Sequence, residues 1–227
     1  LKDLVEGAEV LHEFHILALP GGFSFGDDIA SGKVLANMIK YNLGNEINEF
    51  INVGKLIIGI CNGFQAMVKM GLLPAFNGDY GTQEVTLTFN DSGRFEDRWV
   101  YLEGNTGSRC VFTKGIENIY LPVRHGEGKF AVKNPEVLAR LKKDGQIALR
   151  YVDRDGKYAG YPANPNGSID NIAGICDMTG KIFGMMPHPE AFLHRTNHPR
   201  WTREELPEEG AGVAIFRNAV EYVRDRL

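Results

Sequence analysis

The stretch KLIIGICNGFQ, residues 55 to 65, limits the fold more than any other part of the chain. Its apolar run lacks the polar alternation of a half-exposed strand, so it predicts a strand buried on both faces. Glycines at 59 and 63 bracket Cys61, where the strand gives way to a helix running from about Phe64 to Met70. An earlier stretch, EFHILALPGG, follows the same plan. There a strand over Ile16 to Leu19 is stopped by Pro20 and two glycines. A helix follows through Val34, Leu35, Met38 and Ile39, with Asp27 or Asp28 as its cap. Two consecutive strand, glycine turn, helix units predict an α/β fold with a mostly parallel central sheet flanked by helices.

Beyond residue 84 the pattern shortens and alternates. Val85 to Phe89, Trp99 to Leu102, SRCVFT, IYLPV, KFAV and IALRYV all read as short strands, an added antiparallel part of the sheet. NPNGS, residues 164 to 168, is a turn cluster. A hairpin follows, Ile172 to Cys176 and Ile182 to Met186, stopped by Pro187. The charged, proline-punctuated stretch LHRTNHPRWTREELPEEG reads as a surface loop. The chain closes on a helix with Val213, Phe216, Val220 and Val223 on one face. No repeat or long linker divides the 227 residues, so a single domain over 1–227 is expected.

Composition removes several function classes. A net charge of -4 with scattered Lys and Arg shows no nucleic-acid footprint. No apolar run reaches membrane-spanning length and the N-terminus lacks a signal-peptide plan, which predicts a cytoplasmic protein without membrane partners. Three distant cysteines, with no C-x-x-C pair, argue against disulfides and structural zinc, and no metal site is expected.

Gly59-Ile60-Cys61-Asn62-Gly63 fits the nucleophile-elbow plan G-x-S-x-G with Cys in place of Ser. Most free cysteines are small buried hydrophobes. At a strand-to-helix bend, however, the helix dipole favours a thiolate at Cys61, and the Asn62 N–H is placed to donate to an oxyanion. Cys110 and Cys176 lack such a setting. A thiol nucleophile needs a base oriented by a third group, and two His-x-Glu pairs offer one: His125 with Glu127, and His188 with Glu190. Pro187 and Pro189 make the second pair the more rigid, whereas glycines surround the first. The turn PGGFSFGDD has no Walker spacing, so phosphate binding is a weak reading of it. Parallel strands deliver their C-terminal turns to one sheet edge, which would bring Gly21, Gly22 and Phe23 near Cys61 as a second oxyanion N–H source; a plain tight turn is the competing reading.

PGGFSFGDD, GICNGFQ and MMPHPE, in this order, resemble the triad (class I) glutamine amidotransferases. NDSGRFEDRWV, RHGEGKF and NPNGS extend the resemblance over almost the whole chain, toward the glutaminase components of phosphoribosylformylglycinamidine synthases. The resemblance implies a flavodoxin-like class I amidotransferase fold. It also implies that Cys61 attacks the glutamine side-chain amide, that His188 protonates the departing ammonia, and that Glu190 orients His188. Gly22 and Asn62 would hold the oxyanion, Gln65 would neighbour the glutamine pocket, and His125 would have a structural or pocket-lining role. The ammonia would pass to a large synthetase subunit, with a small bridging subunit in three-component versions. That partner would use ATP and Mg to convert formylglycinamide ribonucleotide to its amidine in purine biosynthesis; no cofactor is expected in this chain. Family members usually carry a strand and helix before the equivalent of LKDLVEGAEV, so the first βα unit is expected to be missing here. Two competing readings are a stand-alone α/β cysteine hydrolase and a catalytically silent binding module, the latter disfavoured by the intact Cys, His and Glu set.

Overall fold

Strand β2 (Leu56–Ile60), formed by the apolar run, is buried at every position in a seven-stranded sheet. The computed structural model describes residues 1–7, 10–27 and 30–227. Strand β1 (Ile16–Leu19) pairs with β2 in parallel, Leu19 opposite Gly59, and β9 (Ile182–Met185) flanks β2 in parallel on the other side, Gly184 opposite Gly59. These three strands end on one edge of the sheet.

The sheet then continues by antiparallel pairing through β8 (Ile172–Cys176), β7 (Ile147–Val152), β4 (Glu96–Gly104) and β5 (Asn118–His125). The α/β sheet and its antiparallel extension are therefore both present, with two parallel pairings and four antiparallel ones. Strands β3 (Val85–Thr88) and β6 (Lys129–Val132) form a separate two-stranded ribbon rather than part of this sheet.

The helices cover the sheet. After the short α1 (Lys2–Val5), α2 (Lys33–Asn52) buries Ala36, Ile39, Leu43, Ile47 and Phe50 at helical spacing. It begins at Gly32, not at Asp27 or Asp28; Asp27 ends a tight 3-10 turn and Asp28 lies outside the described residues. Gly32 has a positive φ, and a Cβ there would lie 2.8 Å from the Ala66 nitrogen, so close packing on α3 (Asn62–Met70) decides where α2 starts.

Two further expectations are corrected, and one helix is added. SRCVFT is a turn, because its backbone bonds go to the Ser108 hydroxyl and the Gly180 carbonyl instead of to a strand. Helix α4 (Pro135–Lys143) was not foreseen, although Asn134 caps it through Val137 N–H at 3.0 Å and Pro135 opens it. The closing helix α5 (Val213–Arg226) buries Ile215 and Ala219, with Phe216 and Val223 packed beside them and Val220 exposed. Among the described residues no helix is long and apolar enough to cross a membrane.

Candidate active site

The glycines around Cys61 answer to two close approaches. A Cβ at Gly63 would lie 1.9 Å from the Leu19 carbonyl oxygen, and one at Gly59 would meet Met67 Sδ at 2.3 Å and the Gly63 carbonyl carbon at 2.8 Å. Helix α3 thus lies directly on the ends of β1 and β2. To enter it from β2, Cys61 adopts φ 51 and ψ -106, a strained conformation for a residue with a side chain. Its N–H donates to the Met185 carbonyl of β9 at 2.8 Å, which holds the bend against the neighbouring strand. The thiol is buried, with the Arg124 carbonyl of β5 3.6 Å away.

His188 arrives at the same edge, just beyond β9. Its N–H donates to the Pro122 carbonyl at 2.8 Å, and its Nδ1 lies 2.5 Å from Glu190 Oε1. Glu190 reaches back from a single turn, Pro189–Ala191, rather than from extended backbone. Burial alone would lower the His188 pKa; the thiol of Cys61 and the carboxylate of Glu190 outweigh it and raise the pKa to about 9. His188 is therefore an imidazolium at neutral pH, with Nε2 buried and without a hydrogen bond of good geometry. The turn after β1 closes over the pair, since a Cβ on Gly21 would lie 2.7 Å from His188 Cε1 and 3.4 Å from Cys61 Cβ. Gly22, next in the chain, is exposed and has φ 139.

The other candidates are tied into one hydrogen-bonded lattice. Asn62 Oδ1 accepts from Ser24 N–H at 3.2 Å and from its hydroxyl at 2.5 Å; Asn62 Nδ2 donates to Gln65 Oε1 at 3.0 Å. Gln65 Nε2 in turn donates to the Glu127 carbonyl at 2.6 Å. The Gln65 amide thus has both ends engaged by the protein. The two His-x-Glu pairs separate clearly. His125 does not bond Glu127; its Nδ1 lies 3.2 Å from Asn90 Oδ1, and burial, helped by the charge of His188, pushes its pKa down to about 4. Ser24 and Asn90 were not singled out from sequence. The carbonyls of Pro122, Arg124 and Met185 carry no sequence signal, because main-chain groups are common to every residue.

Among the described residues no group of three or more His, Cys, Asp or Glu side chains is arranged to hold a metal ion. Cys110 and Cys176 are buried free thiols away from this edge.

A strained thiol at a strand-to-helix bend, beside a carboxylate-bound imidazole on a parallel sheet edge, is the architecture of the glutamine amidotransferases. Residues 1–223 match the CobB/CobQ-like glutamine amidotransferase domain. The phosphoribosylformylglycinamidine synthase subunit PurQ of Dehalococcoides mccartyi is 52% identical over 225 residues, which cover 99% of this chain and 86% of that protein. The PurQ subunit of Methanococcus maripaludis is 44% identical, covering 98% of this chain and 85% of its own. Among solved structures, PurLQS from Thermotoga maritima superposes with a TM-score of 0.69 at 30% identity, over 95% of this chain and 82% of that one. The chain belongs to the CobB/CobQ-like glutamine amidotransferase family and, within it, to the PurQ subunits.

Proposed function

We propose that this chain, as one glutaminase domain over residues 1–227, hydrolyses glutamine and supplies the ammonia to a synthetase partner that makes formylglycinamidine ribonucleotide. One observation supports this above all: the Cys61 bend and the His188–Glu190 pair share one edge of the sheet. With the proton already held on His188, the Cys61 sulfur attacks the glutamine side-chain carbonyl carbon as the thiolate. His188 passes the proton to the leaving nitrogen, ammonia departs, and a thioester remains. A water molecule deprotonated by His188 then attacks the thioester, releasing glutamate and restoring the Cys61 sulfur beside a protonated His188. Glu190 holds Nδ1–H and stabilises the imidazolium. Backbone N–H groups of Gly22 and Asn62 receive the oxyanion. With its amide engaged on both sides, Gln65 shapes the glutamine pocket by bridging Asn62 to Glu127.

The nucleotide chemistry, with ATP and Mg, belongs to the partner. The solved relative from Thermotoga maritima is part of PurLQS, which favours a large synthetase and a small bridging subunit as the partners here. A cytoplasmic setting follows from that role. The decisive experiment reconstitutes the chain with its synthetase and compares glutamine with ammonium salt as nitrogen source. Cys61→Ala is expected to abolish use of glutamine and leave use of ammonia intact; glutamine-dependent product from that variant would refute the assignment.

A further inference from the structure

His125 is a buried imidazole that the chemistry above does not use. It lies between two contacts that belong to the site: the carbonyl of Arg124, the preceding residue, is 3.6 Å from Cys61 Sγ, and that of Glu127, two residues on, accepts from Gln65. Its ring lies against Gly128, where a Cβ would come within 2.4 Å of Nδ1 and 2.7 Å of Nε2, so the wall it packs on admits glycine only.

The hydrogen bonds of Asn90 fix the protonation of this ring. Asn90 Nδ2 lies 2.9 Å from the Arg94 carbonyl and 2.8 Å from the His125 carbonyl, and only an NH₂ can serve two carbonyl oxygens. The other end of the amide must then be oxygen, and it accepts from Gly128 N–H at 3.0 Å. The same oxygen lies 3.2 Å from His125 Nδ1, so Nδ1 carries the hydrogen. Nε2 is left as a bare lone pair, shut away from solvent and with no partner among the described residues. A buried acceptor without a donor is costly, and one flanked by residues whose carbonyls touch Cys61 and Gln65 is placed to meet a ligand at that site.

We propose that Asn90 is a positioning residue that locks His125 in the Nδ1–H tautomer, and that the resulting Nε2 lone pair accepts an N–H from the carboxamide of bound glutamine and disfavours a carboxylate in its place. The inference rests on the glutaminase reading of the site. It makes the pair a specificity device: glutamine brings a donor to Nε2, whereas glutamate, the product, brings only acceptors and is released.

The tautomer is read directly in the unmutated chain by NMR of ¹⁵N-histidine-labelled protein, with His125→Asn used to assign the signals. A protonated Nδ1 and a pyridine-type Nε2 are expected; a protonated Nε2 would overturn the proposal whatever the protein's activity. Binding is measured by calorimetry on the reconstituted complex carrying Cys61→Ala, which does not turn glutamine over. Adding His125→Asn is expected to weaken glutamine by ~10-fold and glutamate by less than ~2-fold, the loss of one hydrogen bond to the amide. Equal weakening of both ligands would overturn it, because the donor would then be the α-ammonium that both share. Asn90→Asp keeps the acceptor oxygen and adds a charge that favours imidazolium, turning Nε2 into a donor. It is expected to narrow the glutamine to glutamate ratio, and an unchanged ratio together with an unchanged Nε2 signal would count against the role of Asn90. Failure of the glutaminase reading would show separately, as glutamine use by Cys61→Ala alone.

Discussion

At the residue scale, the two histidines of the His-x-Glu pairs, of which sequence favours His188 as the base, have opposite electrostatics, and the reason is their partners. His188 has a carboxylate at 2.5 Å; His125 has a neutral amide. Glu190→Gln removes the charge while keeping the shape. It is expected to lower glutaminase kcat by ~100-fold or more, with the complex still able to use ammonia, and steady-state kinetics with each nitrogen source checks it. For His125 the sign of the pH dependence follows from a folded pKa of about 4 against an unfolded value of 6.5. Between these values the unfolded chain binds the proton more readily, so the contribution is full above pH 6.5 and is lost as pH falls toward 4. The loss is on the order of 3 kcal/mol. Urea midpoints measured from pH 7 to 4 should fall less steeply for His125→Asn than for the unmutated chain. The Cys61 elbow was legible from sequence because its glycines sit at fixed offsets. The pairing of His125 with Asn90 was not, because the two residues are 35 positions apart and meet only when the ribbon closes beside β5.

At the scale of elements, the elbow depends on how closely α3 approaches the sheet. Gly63→Ala places a methyl group 1.9 Å from the Leu19 carbonyl oxygen, a main-chain atom that cannot rotate aside. It is expected to cost more than ~2 kcal/mol and to abolish glutamine use through a displaced Cys61. Gly44, within α2, has open space where a Cβ would go, and Gly44→Ala is expected to stabilise by ~0.5–1 kcal/mol. Thermal unfolding of the two variants side by side checks both. Asn134→Ala removes the cap of α4 and should cost about 1 kcal/mol. Helix α4 has an Asn-Pro start and an apolar face of Val137, Leu138 and Leu141 at helical spacing, a signal confined to nine residues between short alternating strands. The strands over 118–125 and 147–152 were legible because apolar residues recur there in short runs, whereas SRCVFT shows the same alternation satisfied by a turn. The 193–210 stretch is anchored rather than free. His198 is buried in it and its ring sits 5.4 Å from that of Trp99, 5.6 Å from Tyr120 and 5.5 Å from Phe192.

At the scale of the whole molecule, the fold brings together three parallel strand ends and one antiparallel strand end; the β1–β2 unit and an antiparallel part of the sheet could be inferred from local pattern, but not which strands neighbour one another. Alternation along a strand fixes which side chains face inward, but says nothing of which neighbour it pairs with. The route β9-β8-β7-β4-β5, which carries β5 round to the site, is a tertiary outcome. It has a consequence for how the protein can change over evolutionary time. The thiol and its bend are held by the carbonyls of Arg124 and Met185, and the His188 backbone by that of Pro122. A carbonyl is the same whatever side chain its residue bears. Substitutions at those three positions that preserve the strands leave the chemistry untouched, while a slip of one residue along β5 would change both the groups facing the thiol and the group holding His188. Catalytic geometry is in this way inherited from strand register, so the sequence around the site is free to drift where the register is not.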